Sequence, residues 1–195
     1  MNGERLYLLD DPEMGIVAEK DPDVIARHKR RYEWAASVVD GHAVVDAGCG
    51  TGYGWQVLKS PNYLGVDNNE AAICYASTHY PAQFRMGDLV SAWQIAHRRG
   101  AWLLFIESLE HVRMEEQWRA WQPALEHGVP VAMALPVRME RKDPPSMNPH
   151  HVHEPALTWL LPKLLCWTPW VEVTLERYES TYGPAVQALV VARPK

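Results

Sequence analysis

A chain of 195 residues, 47% apolar and 22% charged, has room for one domain around one substantial core. No uninterrupted apolar stretch approaches the ~20 residues of a membrane span, and a net charge of −5 argues against broad attraction to nucleic acid. Cys49, Cys74 and Cys166 are too few for a disulfide framework, and the acidic opening MNGERLYLLDDPEMG lacks the basic start and apolar run of a secretory leader. Both features predict a reduced, cytoplasmic protein without a membrane partner.

In chain order, AVVDA (43–47) predicts a buried strand, a glycine-rich turn follows, and YGWQVLKS predicts a helix. NYLGVD (62–67) and QFRMGD (83–88) predict the second and third strands, separated by a helix over NEAAICYASTHY. A short helix near LVSAWQIAHRR leads to a fourth strand, AWLLFIES (101–108). MEEQWRAWQPALEHG predicts a helix stopped by Gly128, and VPVAMALP (129–136) a fifth strand closed by Pro136. Repeated strand–helix units with continuous apolar strands imply a mostly parallel sheet covered on both faces. WVEVTLERYE (170–179) and AVQALVVARP (185–194) alternate more and flank the turn sequence STYGP, so they predict a closing pair with one antiparallel strand. Residues 137–153 form the one long loop, a place where function tends to sit. Of the basic groups RHKRR (27–31), HRR (97–99) and RMERK (138–142), only the last falls where a substrate is expected.

The turn holds Gly48, Gly50, Gly52 and Gly54 at alternate positions. Such a turn between a strand and a helix lets a ligand approach the backbone and its free N–H groups. Neither frame satisfies the G-x-G-x-x-G of a dinucleotide site, and no Gly-Lys-Ser/Thr follows for a P-loop. VVDAGCGTGYG resembles the first motif of class I S-adenosylmethionine (SAM) dependent methyltransferases. YLGVD, FRMGDL, LLFIESLEHV and NPHHVHEPALTWLL are similar to later segments of that family. The lead-in GERLYL…HKRRYEWAASVVDG is similar to a subgroup linked to sugar and glycan methylation.

The resemblance implies a Rossmann-like α/β domain with a seven-stranded sheet. It would comprise an N-terminal lid and helix (1–42), a SAM-binding core (43–136), a substrate-side loop (137–153), and a C-terminal helix and strand pair (154–195). It implies that Asp67, with Asn68 beside it, holds the ribose hydroxyls and that Asp88 and the Leu89 backbone face the adenine. Asp46 would orient the methionyl ammonium, and the amides of Gly48 and Gly50, in a loop shared with Cys49 and Gly52, would take its carboxylate. Arg31 and Tyr32 would close over that end, near Glu107. Read without the resemblance, Asp67 and Asp88 are cap or turn residues, Arg31 is a solvated arginine, Tyr32 a packed ring, and Cys49 a small residue tolerated in a tight turn.

Ligands of open α/β sheets lie beyond the carboxyl ends of the strands, so the acceptor should meet Glu107, Glu110, His111 and the 137–153 loop. His111 or His151 suits a general base, its ordinary pKa lying near ~6.5. Alternatively Glu107, Glu110, His111 and His151 hold a divalent metal such as Mg, as the similarity of this segment to small-RNA ribose methyltransferases and ubiquinone-pathway O-methyltransferases implies. A third reading leaves the set purely structural. Arg138, Arg141 and Lys142 are placed to meet an acceptor phosphate or carboxylate, with His150 and His153 as further substrate contacts. Two departures from the family stand out: LPVRMERKDPPS follows strand five, and Pro155 replaces an expected phenylalanine. The expected activity is methyl transfer to an oxygen, less readily a nitrogen, of a small polar acceptor such as a sugar or nucleotide-sugar. The alternatives are RNA ribose 2′-O-methylation and a non-catalytic SAM sensor or partner subunit. Nothing in the chain speaks to oligomeric state.

Overall fold

The computed structural model describes residues 6–11, 18–144, 148–180 and 182–194. Part of the acidic opening, Gly3–Arg5 of the lead-in, the middle of the 137–153 loop and Thr181 of the STYGP turn lie outside them. Helix α1 (Pro22–Val39) precedes the first strand, with Pro22 in its first turn and the Asp21 carboxylate accepting from the N–H groups of Asp23 and Val24. Then come β1 (Val44–Ala47), α2 (Gly54–Leu58), β2 (Tyr63–Asp67), α3 (Glu70–His79), β3 (Gln83–Met86), α4 (Leu89–Arg99) and β4 (Trp102–Ile106). The chain continues through α5 (Met114–Glu126), β5 (Val131–Pro136), α6 (Leu157–Leu165), β6 (Trp170–Ser180) and β7 (Gly183–Arg193).

The seven strands lie in the order β3-β2-β1-β4-β5-β7-β6. Strands β1 to β5 pair in parallel, while β7 runs antiparallel to both β5 and β6, so the closing pair carries its one reversed strand as expected. Alternation along the strands feeds two cores. Val45, Ala47, Leu103 and Phe105 pack with Ala92, Ile95, Trp121 and Leu160 of α4, α5 and α6. Val44, Leu104 and Ile106 pack with Tyr32, Ala35, Leu58 and Tyr75 of α1, α2 and α3. Both faces are covered, which is why β1 and β4 are apolar but for Asp46. The strand order reverses between β1 and β4, the crevice where open sheets bind ligands. No helix among the described residues is long and apolar enough to cross a membrane.

Candidate active site

The glycine turn leaves β1 and meets an unusually crowded surrounding. A Cβ on Gly48 would lie 2.4 Å from Ser108 Cβ, one on Gly52 2.7 Å from Ala76 and Phe84, and one on Gly54 2.3 Å from the Tyr32 ring. Only at Gly50 does the turn face open space. The spacing read as room for a ligand is therefore, at three of four positions, room for the protein's own side chains. Helix α2 is also just Gly54–Leu58, short for the N-terminal anion site expected of it. The amides differ from expectation as well. Gly48 N–H donates to the Val66 carbonyl (2.7 Å) and Gly50 N–H to the Asp67 carboxylate (2.9 Å), so strand-to-strand geometry engages both donors. Cys49 is a buried cysteine in no disulfide, packed in the turn beside the position a Gly65 Cβ would take.

Asp46, on the β1 face toward α1, is fully buried and accepts from the hydroxyls of Tyr32 (3.0 Å) and Tyr63 (2.7 Å) on one oxygen. Burial lifts its pKa to about 6 against the pull of those two hydrogen bonds, with the Asp67 charge adding to the rise. Its other oxygen, Oδ1, has no partner, and neither has the buried Ser108 Oγ beside Gly48. An unmatched carboxylate oxygen and hydroxyl at the switch point fit the ammonium and carboxylate of an amino-acid tail. Asp67 also accepts from Asn69 N–H (2.9 Å), and Asn68 next to it is exposed. Asp88 caps α4 by accepting from Ser91 N–H (2.6 Å), and Leu89 lies against Gly48. The cap reading of Asp88 is thus realised.

The main cleft, about 460 Å³, opens beyond β4, β5 and the β6–β7 hairpin and contains no residue of the glycine turn in its lining. Glu107 sits at its floor with φ of 53°, a left-handed conformation rare outside glycine that aims the carboxylate into the cleft at a cost of about 1–3 kcal/mol. It accepts from Arg31 Nη1 (2.6 Å) and from Gln187 Nε2 (2.5 Å). Arg31, a solvated arginine when read without the resemblance, is buried in this ion pair; burial opposes its charge, but Glu107 foremost, then Tyr178 and Glu110, raise its pKa. Glu110 is fully buried with Oε2 unpartnered, and burial first, then Glu107, push its carboxyl well above the usual range.

His111 and His151 face each other across the same cleft, ring centroids 5.8 Å apart. His151 Nδ1 lies 2.6 Å from Glu154 Oε1, and its Nε2 lies 3.0 Å from Asn148 Nδ2. With the amide nitrogen as donor, the proton sits on Nδ1 facing Glu154, leaving Nε2 as the basic nitrogen. His111 Nδ1 is 3.1 Å from the His150 carbonyl. The proposed metal set does not converge: Glu107 is engaged by Arg31 and Gln187, His151 by Glu154 and Asn148, and no group of three or more His, Cys, Asp and Glu among the described residues is arranged to hold a metal.

Solved structures place this arrangement among known folds. No family model and no curated protein sequence matches the chain. The N-terminal domain of EvdMO1 with SAH bound is similar over 98% of this chain and 92% of its own, with a TM-score of 0.70 and 14% identity. The same domain in the presence of SAH and D-fucose gives 0.66 over 98% and 91%, again at 14% identity. The chain has a class I methyltransferase fold. The small RNA methyltransferase HEN1 shares it (TM-score 0.61, 15% identity, 92% of this chain and 26% of that one), and so does the [4+2]-cyclase SpnF (0.60, 16%, 85% and 81%). At these identities the likeness is one of architecture, and chemistry must be argued from the site.

Within this methyltransferase fold the remaining expectations separate. Arg138 lines the cleft, but its guanidinium donates to the carbonyls of Glu154, Arg141 and Asp143, a loop brace rather than an anion hook. Arg141 is exposed and outside the lining, and exposed Lys142 pairs with Glu140. His150 contributes a carbonyl to His111, and His153 lies outside the lining, its pKa lowered by burial and then by Arg138. Tyr32 buttresses Asp46 from outside the cleft. The RHKRR group, expected to lie away from the substrate, supplies Arg27, His28 and Arg31 to the lining. Sequence reasoning missed Gln187 and the pairing of Glu154; a glutamine inside the apolar run AVQALVV was the one available signal for the first.

Proposed function

We propose that the chain binds SAM at the switch point and methylates an oxygen of a small polar acceptor held in the cleft, with His151 as general base. The observation that carries this reading is the His151–Glu154 pair at 2.6 Å, opening on the cleft with Nε2 as the acceptor of a proton. The tail ammonium would find Asp46 Oδ1 and the tail carboxylate Ser108 Oγ, the two unmatched buried atoms beside the turn. SAM supplies an activated methyl group and departs as SAH.

The chain's own residues then have three tasks. The cleft aligns the acceptor hydroxyl with the methyl carbon. The hydroxyl replaces Asn148 as the donor to His151 Nε2, and as its oxygen bonds the methyl carbon the proton passes to that nitrogen. Glu154 keeps the ring oriented and stabilises the cation that forms. A sugar hydroxyl suits a cleft lined by carboxylates, imidazoles and an amide, and the likeness to a domain crystallised in the presence of SAH and D-fucose supports that class. The RNA ribose reading is the weaker one, because it needs Glu107 and His151 to hold an ion, and Arg31, Gln187, Glu154 and Asn148 engage them. The SpnF likeness favours one second reading, in which the cleft hosts a reaction without methyl transfer.

A thermal-shift series with SAM, SAH and NAD, followed by SAH release from a panel of sugars, tests the proposal. SAM and SAH should stabilise the protein, turnover should survive EDTA, and His151→Ala should lower turnover about 10²–10⁴-fold. Stabilisation by NAD alone, or full turnover in that variant, would overturn it.

A further inference from the structure

A second cavity of about 320 Å³ adjoins the cleft, lined by Arg27, Arg30, Arg31, Glu176, Arg177 and Tyr178. The two share Arg27, Arg31 and Tyr178, so a ligand in the cleft has a direct way into it. The guanidinium carbons of Arg27 and Arg31 lie 5.9 and 5.5 Å from the centre of the Tyr178 ring, which holds both cations at the boundary. Arg31 is neutralised by Glu107. Arg27, Arg30 and Arg177 make no ion pair among the described residues, and Glu176 is the sole carboxylate in the lining.

This concentration of positive charge runs against a net charge of −5. On α1, Arg27 stands three residues from Arg30 and four from Arg31, so like charges share one helix face, an arrangement that costs stability when nothing offsets it. All four cations are arginines, whose planar fork matches phosphate bidentately. Arg138, the loop residue expected to take that role, is engaged in bracing its own loop.

We propose that the arginine cavity binds a phosphate group of the acceptor, which makes the substrate a phosphorylated small molecule, such as a sugar phosphate or nucleotide-sugar, with its hydroxyl reaching His151. The inference rests on the acceptor-cleft reading above. The cavity spans one α1 face and one hairpin edge, a footprint matched to a phosphate or diphosphate rather than to a polymer backbone.

Calorimetric titration of the full chain with inorganic pyrophosphate at low salt tests it, alongside a titration with SAH. Wild type should bind pyrophosphate, the affinity should fall as salt is raised, and Arg30→Glu/Arg177→Glu should weaken it at least about tenfold while SAH affinity stays unchanged. Arg30→Gln/Arg177→Gln, expected to weaken binding in the same direction, serves if charge reversal impairs folding. No binding at millimolar pyrophosphate, equal affinity in the variant, or tighter binding of a short single-stranded oligoribonucleotide would each overturn the proposal. Loss of SAH binding in wild type with pyrophosphate binding intact would instead fall on the SAM reading alone.

Discussion

Replacing Gly54 by alanine distinguishes a glycine kept for a ligand from one kept for packing. In a helix this exchange ordinarily stabilises by about 1 kcal/mol. Here the new methyl would stand 2.3 Å from Tyr32 Cε1 and 2.5 Å from Cζ. The ring cannot easily retreat: it is 2% exposed, stacks edge-on against Tyr53 at 5.2 Å, and is tethered to Asp46 through its hydroxyl. Overpacking a core costs about 1–3 kcal/mol, and a strained tether about 0.5–1.5 kcal/mol more. Against the helix gain, the net expectation is a loss of about 0.5–3.5 kcal/mol. Urea denaturation should show a lower midpoint at unchanged slope, and the melting temperature should fall by ~2–4 °C per kcal/mol at this chain length. Gly50→Ala is the contrasting case, since its Cβ meets nothing within 4 Å and its φ is +54°. It should lose only the ~1–2 kcal/mol of left-handed strain but weaken SAH binding. A Gly54→Ala protein as stable as wild type would refute the packing account of the turn.

Asp46 makes stability depend on pH. Its folded pKa, about 6, lies above the ordinary 3.8, so its contribution is fully present below that lower value and is lost as pH rises through the upper one. The decline is roughly 1.4 kcal/mol per pH unit, on the order of 3 kcal/mol across the window; Asp46→Asn should flatten it, and an unchanged slope between pH 4 and 7 by denaturant titration would contradict the assignment. Arg31→Ala leaves Glu107 and the buried Glu110 without their cation and should cost about 3–5 kcal/mol at neutral pH. The deficit should shrink on adding Glu107→Gln, whereas a loss under ~1 kcal/mol would show the pair to be dispensable. Glu154→Gln removes the anchor of His151 and should lower turnover about 10–100-fold with SAH affinity intact; turnover equal to wild type would confine Glu154 to a structural role.

Local patterns decided much of this protein. Apolar runs of strand length between helical stretches fix a covered parallel sheet, because hydrophobic periodicity and turn residues act over a few neighbours. Asp88 as a cap was legible for the same reason, since cap and N–H lie three residues apart. The carboxyl-end rule places Glu107, Glu110, His111 and His151 at one cleft from the sequence alone. What crowds Gly48, Gly52 and Gly54 was not legible: Ser108, Phe84 and Tyr32 arrive from other elements. Gln187 reaches Glu107 across 80 positions, Arg138 closes on carbonyls of its own loop, and Arg27, Arg30 and Arg177 meet only when α1 lies beside β6. Periodicity records which face a residue takes, whereas the partner it meets there is chosen by how sheet, helices and hairpin stack, and that choice leaves no regular mark along the chain.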